Sequence, residues 1–149
     1  MAKVHSAPLT MAMERTLILL KPDCLERGHA GEVIARFEKA GFTLRATKML
    51  RLTDALLAEH YTHLTSKPFY PEIVAFMKSH AVLALVLEGE NAVARIRDLL
   101  GPTDSKKAAK GTLRGDFGQE SMRNVCHASD SVENAAAEVK RFFLAEELF

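Results

Sequence analysis

Two short apolar runs constrain this chain more than any other feature. RTLILLK (15–21) ends at Pro22-Asp23, and AVLALVL (81–87) is followed by Glu88-Gly89. Each run is continuous rather than alternating, and each is too short for a membrane span, which takes roughly 20 residues. Continuous apolar runs of this length read as strands buried on both faces, at the centre of a sheet. Proline cannot donate to a sheet ladder, so the first run stops at Lys21. The remaining elements must arrange themselves around these two strands.

The pattern between and after them is helical, with a second kind of strand. GEVIARFEKA (31–40) places Val33, Ile34 and Phe37 on one face, and Gly41 supplies a stop. Phe42–Leu52 alternates loosely and reads as a partly exposed strand. Thr53 and Asp54 offer capping oxygens to a helix over Ala55–Tyr61. Lys67-Pro68 breaks the pattern before a helix over Phe69–Ser79. Gly89 closes the second apolar run, and Asn91–Leu100 is a helix ended by Gly101-Pro102. Thr103–Arg123 has no period and reads as a long loop, a feature that is usually functional in a compact domain. Asn124–His127 reads as a short edge strand. Asp130 caps a final helix with Glu133 as its capping-box partner, and Val132, Ala135, Val139, Phe142 and Phe143 form its apolar stripe.

The order is strand, helix, strand, two helices, strand, helix, strand, helix. Without the extra helices this is the α+β, ferredoxin-like β-α-β-β-α-β plan: a four-stranded antiparallel sheet with helices on one face. A flavodoxin-like parallel sheet is the competing α/β topology, and element order alone leaves it open. At 149 residues, 48% apolar and 26% charged, one domain is enough and no disulfide or metal is needed to hold it. Met1–Met13 has no clear period and reads as a flexible arm; it has no apolar core of the signal-peptide kind. Two cysteines cannot make a disulfide framework, and the whole reads as a reduced, cytoplasmic protein without a membrane segment. A net charge of +1 gives no global attraction for nucleic acid, so any anion site must be local.

Candidate functional residues cluster in a few places. Lys21 ends a buried strand, where it either snorkels outward or aims a cation at an anion above the sheet. Arg97 and Arg114 flank the long loop, and arginine's planar fork suits phosphate oxygens. Lys106, Lys107 and Lys110 within the loop read as a solvated face. His60-x-x-His63 has helical spacing but lacks a third ligand close by, and reads as a solvated pair rather than a zinc site. His127 is the most informative single residue. It follows a short apolar strand and precedes Ser129, Asp130 and a helix N-terminus, which favours anions. Glu138 lies beside the apolar stripe of the next helix, where a half-buried carboxylate fixes an imidazole's tautomer; a surface glutamate is the alternative. Cys126, in an apolar strand, reads as inert packing. Phosphate-loop, dinucleotide, nucleophile-elbow and protein-kinase motifs are all absent.

Taken together, ERTLILLKPD (14–23), GHAGEVIARFEKAGF (28–42), HYTHLTSKPFYPEIVAFM (60–77), GTLRGDF (111–117) and above all NVCHASDS (124–131) resemble the nucleoside diphosphate kinase family, over Glu14 to Phe149. The resemblance implies one catalytic domain over 14–149 and ping-pong exchange of a γ-phosphoryl group through a phosphohistidine. By that matching His127 is the nucleophile, Glu138 hydrogen-bonds its imidazole, and Ser129 supports the glutamate. Lys21, Arg97, Arg114 and Thr103 meet the phosphates, and Tyr61 lies near the transferring group. Asn124 and Lys21 meet the sugar hydroxyls, while Phe69 stacks on the base beside Ile73. Mg²⁺ arrives with the nucleotide and binds through phosphates and water. A homo-oligomer of dimers, tetramer or hexamer, is also implied. Three positions depart from the family pattern: Ala128 replaces the commoner glycine, Met122 stands where glycine precedes Arg-Asn, and Ser105 replaces a proline in a loop that makes subunit contacts. The rival readings are a catalytically silent nucleotide-binding regulator on the same fold and a nucleic-acid module. The second is weakened by the near-neutral charge and the lack of surface-strand aromatics.

Overall fold

A computed structural model describes residues 12–149. The four strands are β1 (Met13–Leu20), β2 (Thr43–Leu50), β3 (Val82–Glu90) and β4 (Cys126–Ala128). Seven helices accompany them: α1 (Pro22–Glu26), α2 (Ala30–Lys39), α3 (Asp54–His60), α4 (Tyr70–Lys78), α5 (Ala92–Leu100), α6 (Leu113–Phe117) and α7 (Val132–Phe142). The sheet order is β2-β3-β1-β4 and every neighbouring pair is antiparallel, which is the ferredoxin-like plan and excludes the parallel alternative. Of the arm read at 1–13, residues 1–11 lie outside the described residues, whereas Met13 already pairs with Glu90 in the sheet.

The two apolar runs are the central strands. Leu17, Ile18, Leu19 and Leu20 are all fully buried, and so are Leu85, Val86 and Leu87. Successive side chains point to opposite faces. Ile18 and Leu20 join Val33, Phe37, Ile96 and Leu100 under α2 and α5. Leu17 and Leu19 join Leu57, Phe76, Met77, Val139 and Phe142 under α3, α4 and α7. The one-face expectation is therefore corrected: helices cover both faces. A strand with no polar face has no side to offer water, so each face needs its own cover.

Other boundaries moved for local reasons. Pro22 stops β1 and at once starts α1, because its missing N–H costs nothing at a first helical position. Gly89 does not close β3, which runs on through Glu90. Phe42 lies over Gly89, and a Cβ there would fall 2.7 Å from the Phe42 ring. The stretch 103–123 is not all loop. It holds a 3-10 turn at Ser105–Lys107 and α6, whose N-cap Thr112 accepts from the Gly115 N–H. Five residues are too few to show a helical period. The last helix is capped by Ser131, not Asp130: the Ser131 hydroxyl accepts from the Asn134 N–H at 3.0 Å, while Asp130 accepts from the Asn134 side chain. Val132, read as part of that helix's apolar stripe, is 55% exposed.

Removing that cap tests the assignment. Ser131→Ala should cost about 1 kcal/mol of unfolding free energy, and Asp130→Ala less than half of that, as read by urea denaturation.

Candidate active site

The sheet delivers its chemistry at one end of β1 and across from it on β4. His127 is the middle residue of β4 and pairs with Leu19 of β1. Its neighbours Cys126 and Ala128 point into the core, so alternation turns the imidazole the other way, toward α7. There His127 Nε2 lies 2.5 Å from Glu138 Oε1, with Glu138 itself buried. A carboxylate only accepts, so Nε2 carries the proton and Nδ1 keeps a lone pair.

The entry to β4 is strained. Val125 has φ 78°, a left-handed conformation that is a genuine outlier for a β-branched residue. Two bonds hold it. The Val125 N–H donates to Asp23 Oδ2 at 3.0 Å, and its carbonyl accepts from the Lys21 N–H at 2.9 Å. The Cys126 N–H closes the turn on the Asn124 carbonyl. Asp23 is buried in α1. The sequence shows Asp23 only as part of the Pro22-Asp23 end of the first apolar run, with no sign of this role.

The cations are held by backbone. Lys21 Nζ donates to the Met122 carbonyl at 2.5 Å and to Asn124 Oδ1 at 2.8 Å. Asn124 in turn donates to the Thr103 and Ser121 carbonyls. Arg114 is buried and donates to the carbonyls of Gly101, Asn124 and Cys126. Arg97 reaches the Ala128 carbonyl at 3.3 Å. Among the described residues no carboxylate is hydrogen-bonded to any of the three, so their charge is left to act on the cleft. Burial pushes the Lys21 ammonium down to about 8; Asp23 opposes the fall and Arg114 adds to it. Burial pushes the Tyr61 phenol up to about 12, so it keeps its proton, and it pushes the Cys126 thiol up to about 12, in keeping with inert packing.

One cleft of about 800 Å³ gathers almost every residue singled out from sequence. Lys21, Tyr61, Phe69, Ile73, Arg97, Thr103, Arg114, Asn124, His127 and Glu138 all line it. Phe69, 46% exposed, stands at the start of α4 on its wall. Ser129 is the exception. It is fully buried, accepts from the Leu17 N–H at 3.3 Å and donates to the Leu17 carbonyl, so its hydroxyl ties β4 to β1 instead of contacting Glu138. The His60–His63 pair also needs correction. His63 is exposed on a 3-10 turn, but His60 is buried, with its ring 4.6 Å from that of His127. No helical-period argument reveals this, because the burial comes from α7.

His60, His127 and Glu138 form the one group of three or more metal-ligand types found close together among the described residues. Two imidazoles and one carboxylate do not fit Mg²⁺, a hard cation that takes oxygens.

A cleft lined by fixed cations, with a carboxylate-held imidazole in it, suits phosphoryl transfer, where alignment and charge neutralisation matter most. The fold and cleft thus define a phosphotransferase. The nucleoside diphosphate kinase pattern matches residues 14–148, and the chain belongs to the nucleoside diphosphate kinase family. A nucleoside diphosphate kinase of Saccharomyces cerevisiae is 47% identical over 135 residues, covering 91% of this chain and 88% of its own. A mitochondrial one from Columba livia is 49% identical, covering 96% and 78%. Among solved structures, the Aquifex aeolicus nucleoside diphosphate kinase superposes with a TM-score of 0.89 at 43% identity, covering 93% of this chain and 100% of that one. A halophilic nucleoside diphosphate kinase from Halobacterium salinarum in complex with CDP gives 0.89 at 37% identity, covering 93% and 92%.

The lowered Lys21 value predicts a pH effect with a definite sign. Its ordinary value is 10.5, so between pH 8 and 10.5 the unfolded chain holds the extra proton, and this group makes the fold more stable as pH rises. Phosphate binding needs the charged form and runs the other way. ADP affinity should weaken about tenfold between pH 8 and pH 9.5 by calorimetry, and Lys21→Met should bind weakly at both without that slope.

Proposed function

We propose that this enzyme exchanges phosphoryl groups between nucleoside triphosphates and diphosphates through a phosphohistidine at His127. The observation that carries the reading is the 2.5 Å contact of His127 Nε2 with the buried Glu138 carboxylate, in a cleft rimmed by Lys21, Arg97 and Arg114. The Nδ1 lone pair attacks the γ-phosphorus of ATP or another triphosphate. The N–P bond forms as the bond to the β–γ bridging oxygen breaks, and the diphosphate leaves with that oxygen. The imidazole gains positive charge as it is phosphorylated, and Glu138 stabilises it through Nε2–H. A terminal oxygen of a second nucleoside diphosphate then attacks the phosphorus and the N–P bond breaks. A covalent intermediate splits one transfer into two easier ones.

Lys21, Arg97, Arg114 and Thr103 neutralise and align the phosphates, and Tyr61 donates its retained phenol proton toward the transferring group. Asn124 and Lys21 hold the sugar hydroxyls. Mg²⁺ enters as part of the nucleotide substrate, with phosphates and water as its ligands; the imidazole-rich donor set at His127 supports that reading. Phe69 stacks on the base with Ile73 beside it. A stacking face reads every base alike, so Phe69→Ala should raise KM about tenfold and by similar factors for adenine, guanine and cytosine diphosphates in steady-state assays.

The catalytic domain spans residues 14–149. The homo-oligomer reading, tetramer or hexamer built from dimers, is supported by β2, an edge strand with exposed Leu44 and Met49. No helix among the described residues is long and apolar enough to cross a membrane. Two free, buried thiols support a reducing, cytoplasmic compartment.

The deciding experiment mixes the protein with γ-labelled ATP and Mg²⁺ and then adds unlabelled GDP. Wild type should take up an acid-labile, base-stable label that GDP removes as GTP, and His127→Ala should take up none. Nucleotide binding without labelling would instead identify a catalytically silent regulator.

A further inference from the structure

Glu138 has two imidazoles within reach, and only one is useful. Its Oε1 lies 2.5 Å from His127 Nε2 and 3.9 Å from His60 Nδ1. The two rings sit edge-on, 4.6 Å apart at 77°. His60 also packs against Tyr61 and Phe142. A neutral imidazole carries one proton, on either nitrogen. If that proton were on His60 Nδ1, a small ring rotation would bring it to Glu138, in competition with His127.

Arg141, in the last turn of α7, prevents this. Its Nη1 lies 2.9 Å from His60 Nδ1. A guanidinium has protons and no lone pair to offer. His60 Nδ1 must therefore accept, and the His60 proton sits on Nε2. That nitrogen is buried and has no hydrogen-bond partner among the described residues. Left to itself, His60 would place its proton on Nδ1 and use Glu138 rather than bury an unpaired donor. The observed arrangement runs against that preference.

The geometry points to Arg141 as a positioning residue for His127: by donating to His60 Nδ1 it fixes that ring's tautomer, which leaves Glu138 with His127 as its single imidazole partner. The inference rests on His127 being the nucleophile. Were Glu138 shared, its charge would be divided between two imidazoles, and the bond that holds the His127 proton on Nε2 and leaves Nδ1 its lone pair would weaken. The charged and titratable groups facing His60 are Glu138 and Arg141 from α7, His127 from β4, and His63 and Tyr61 from the segment after α3. Glu59 of α3 lies 3.4 Å from Arg141 Nε, an ion pair without a hydrogen bond between them. Burial above all holds His60 neutral, pushed down to about 2, with the His127, Arg141 and His63 charges adding to the fall; in a neutral ring it is the tautomer that the Arg141 hydrogen bond selects.

The test uses the full chain labelled with ¹⁵N-histidine. Long-range ¹H–¹⁵N spectra report which ring nitrogen carries each proton, and rapid quench with labelled ATP gives the single-turnover rate of His127 phosphorylation. In wild type His60 should be protonated on Nε2. Arg141→Met should move that proton to Nδ1 and slow phosphorylation about tenfold, with half-saturating nucleotide changed less than about twofold. Arg141→Lys keeps a donor and should keep the tautomer and most of the rate. Adding His60→Phe to Arg141→Met removes the competitor and should recover most of the loss. A wild-type His60 protonated on Nδ1 overturns the inference, and so does equal slowing by Arg141→Met with and without His60. Should Arg141→Met fail to fold, the wild-type tautomer still decides. A wild type that takes up no label defeats the phosphohistidine reading instead, whereas the His60 tautomer is read without nucleotide.

Discussion

β1 is enclosed on all sides, and the rest of the molecule is arranged around that fact. It pairs with β3 on one edge and β4 on the other, and its four consecutive leucine and isoleucine side chains are fully buried on both faces. Burying a single such side chain contributes roughly 1.5–3 kcal/mol relative to exposure, so neither face can be left open. The two helical layers follow from this, and so does the site. Lys21 emerges where β1 ends, and His127 is set by its register against Leu19. Ser129 reinforces the same pairing through Leu17. The His127 imidazole is thus placed by a strand paired on both edges and buried on both faces, the kind of rigid support that a precise site needs.

Local strain is kept where it serves that placement. Val125 holds φ 78°, and a strained residue of this kind persists only when its surroundings over-determine it. Asp23 and the Lys21 backbone do so, both from the chain that leaves β1. Lys21 therefore acts twice: its backbone anchors the turn before His127, and its ammonium lines the cleft. The arginines follow a related logic. Arg114 satisfies its guanidinium with three carbonyls rather than a carboxylate, so its direction is fixed while its charge is not cancelled.

Most of the site was legible in the sequence because its residue types are chemically narrow. A histidine between a short apolar strand and a helix start, arginines beside glycines, and a lysine closing an apolar run each point toward anion chemistry, and the structure gathers them into one cleft. What stayed hidden depended on contacts between distant segments. His60 looked solvated because its own helix gives no reason for burial; α7 buries it. Asp23 shows no role in the sequence beyond the end of the first apolar run, because its partner Val125 is 102 residues away. Ser129 reads as a support for Glu138 by motif, but its hydroxyl is taken by Leu17.

The sequence by itself determined the central strands, the order of the four strands and the five longer helices, and the family, since these rest on local hydropathy, breakers and short motifs. Tertiary structure alone decided that both sheet faces are covered, that β3 continues through Gly89 beneath the Phe42 ring, and that α6 interrupts the long segment 103–123. It also decided which imidazole owns Glu138. The reason is physical: propensity and periodicity act over a few residues, whereas burial and hydrogen-bond competition are settled by which distant groups the fold brings to a shared acceptor.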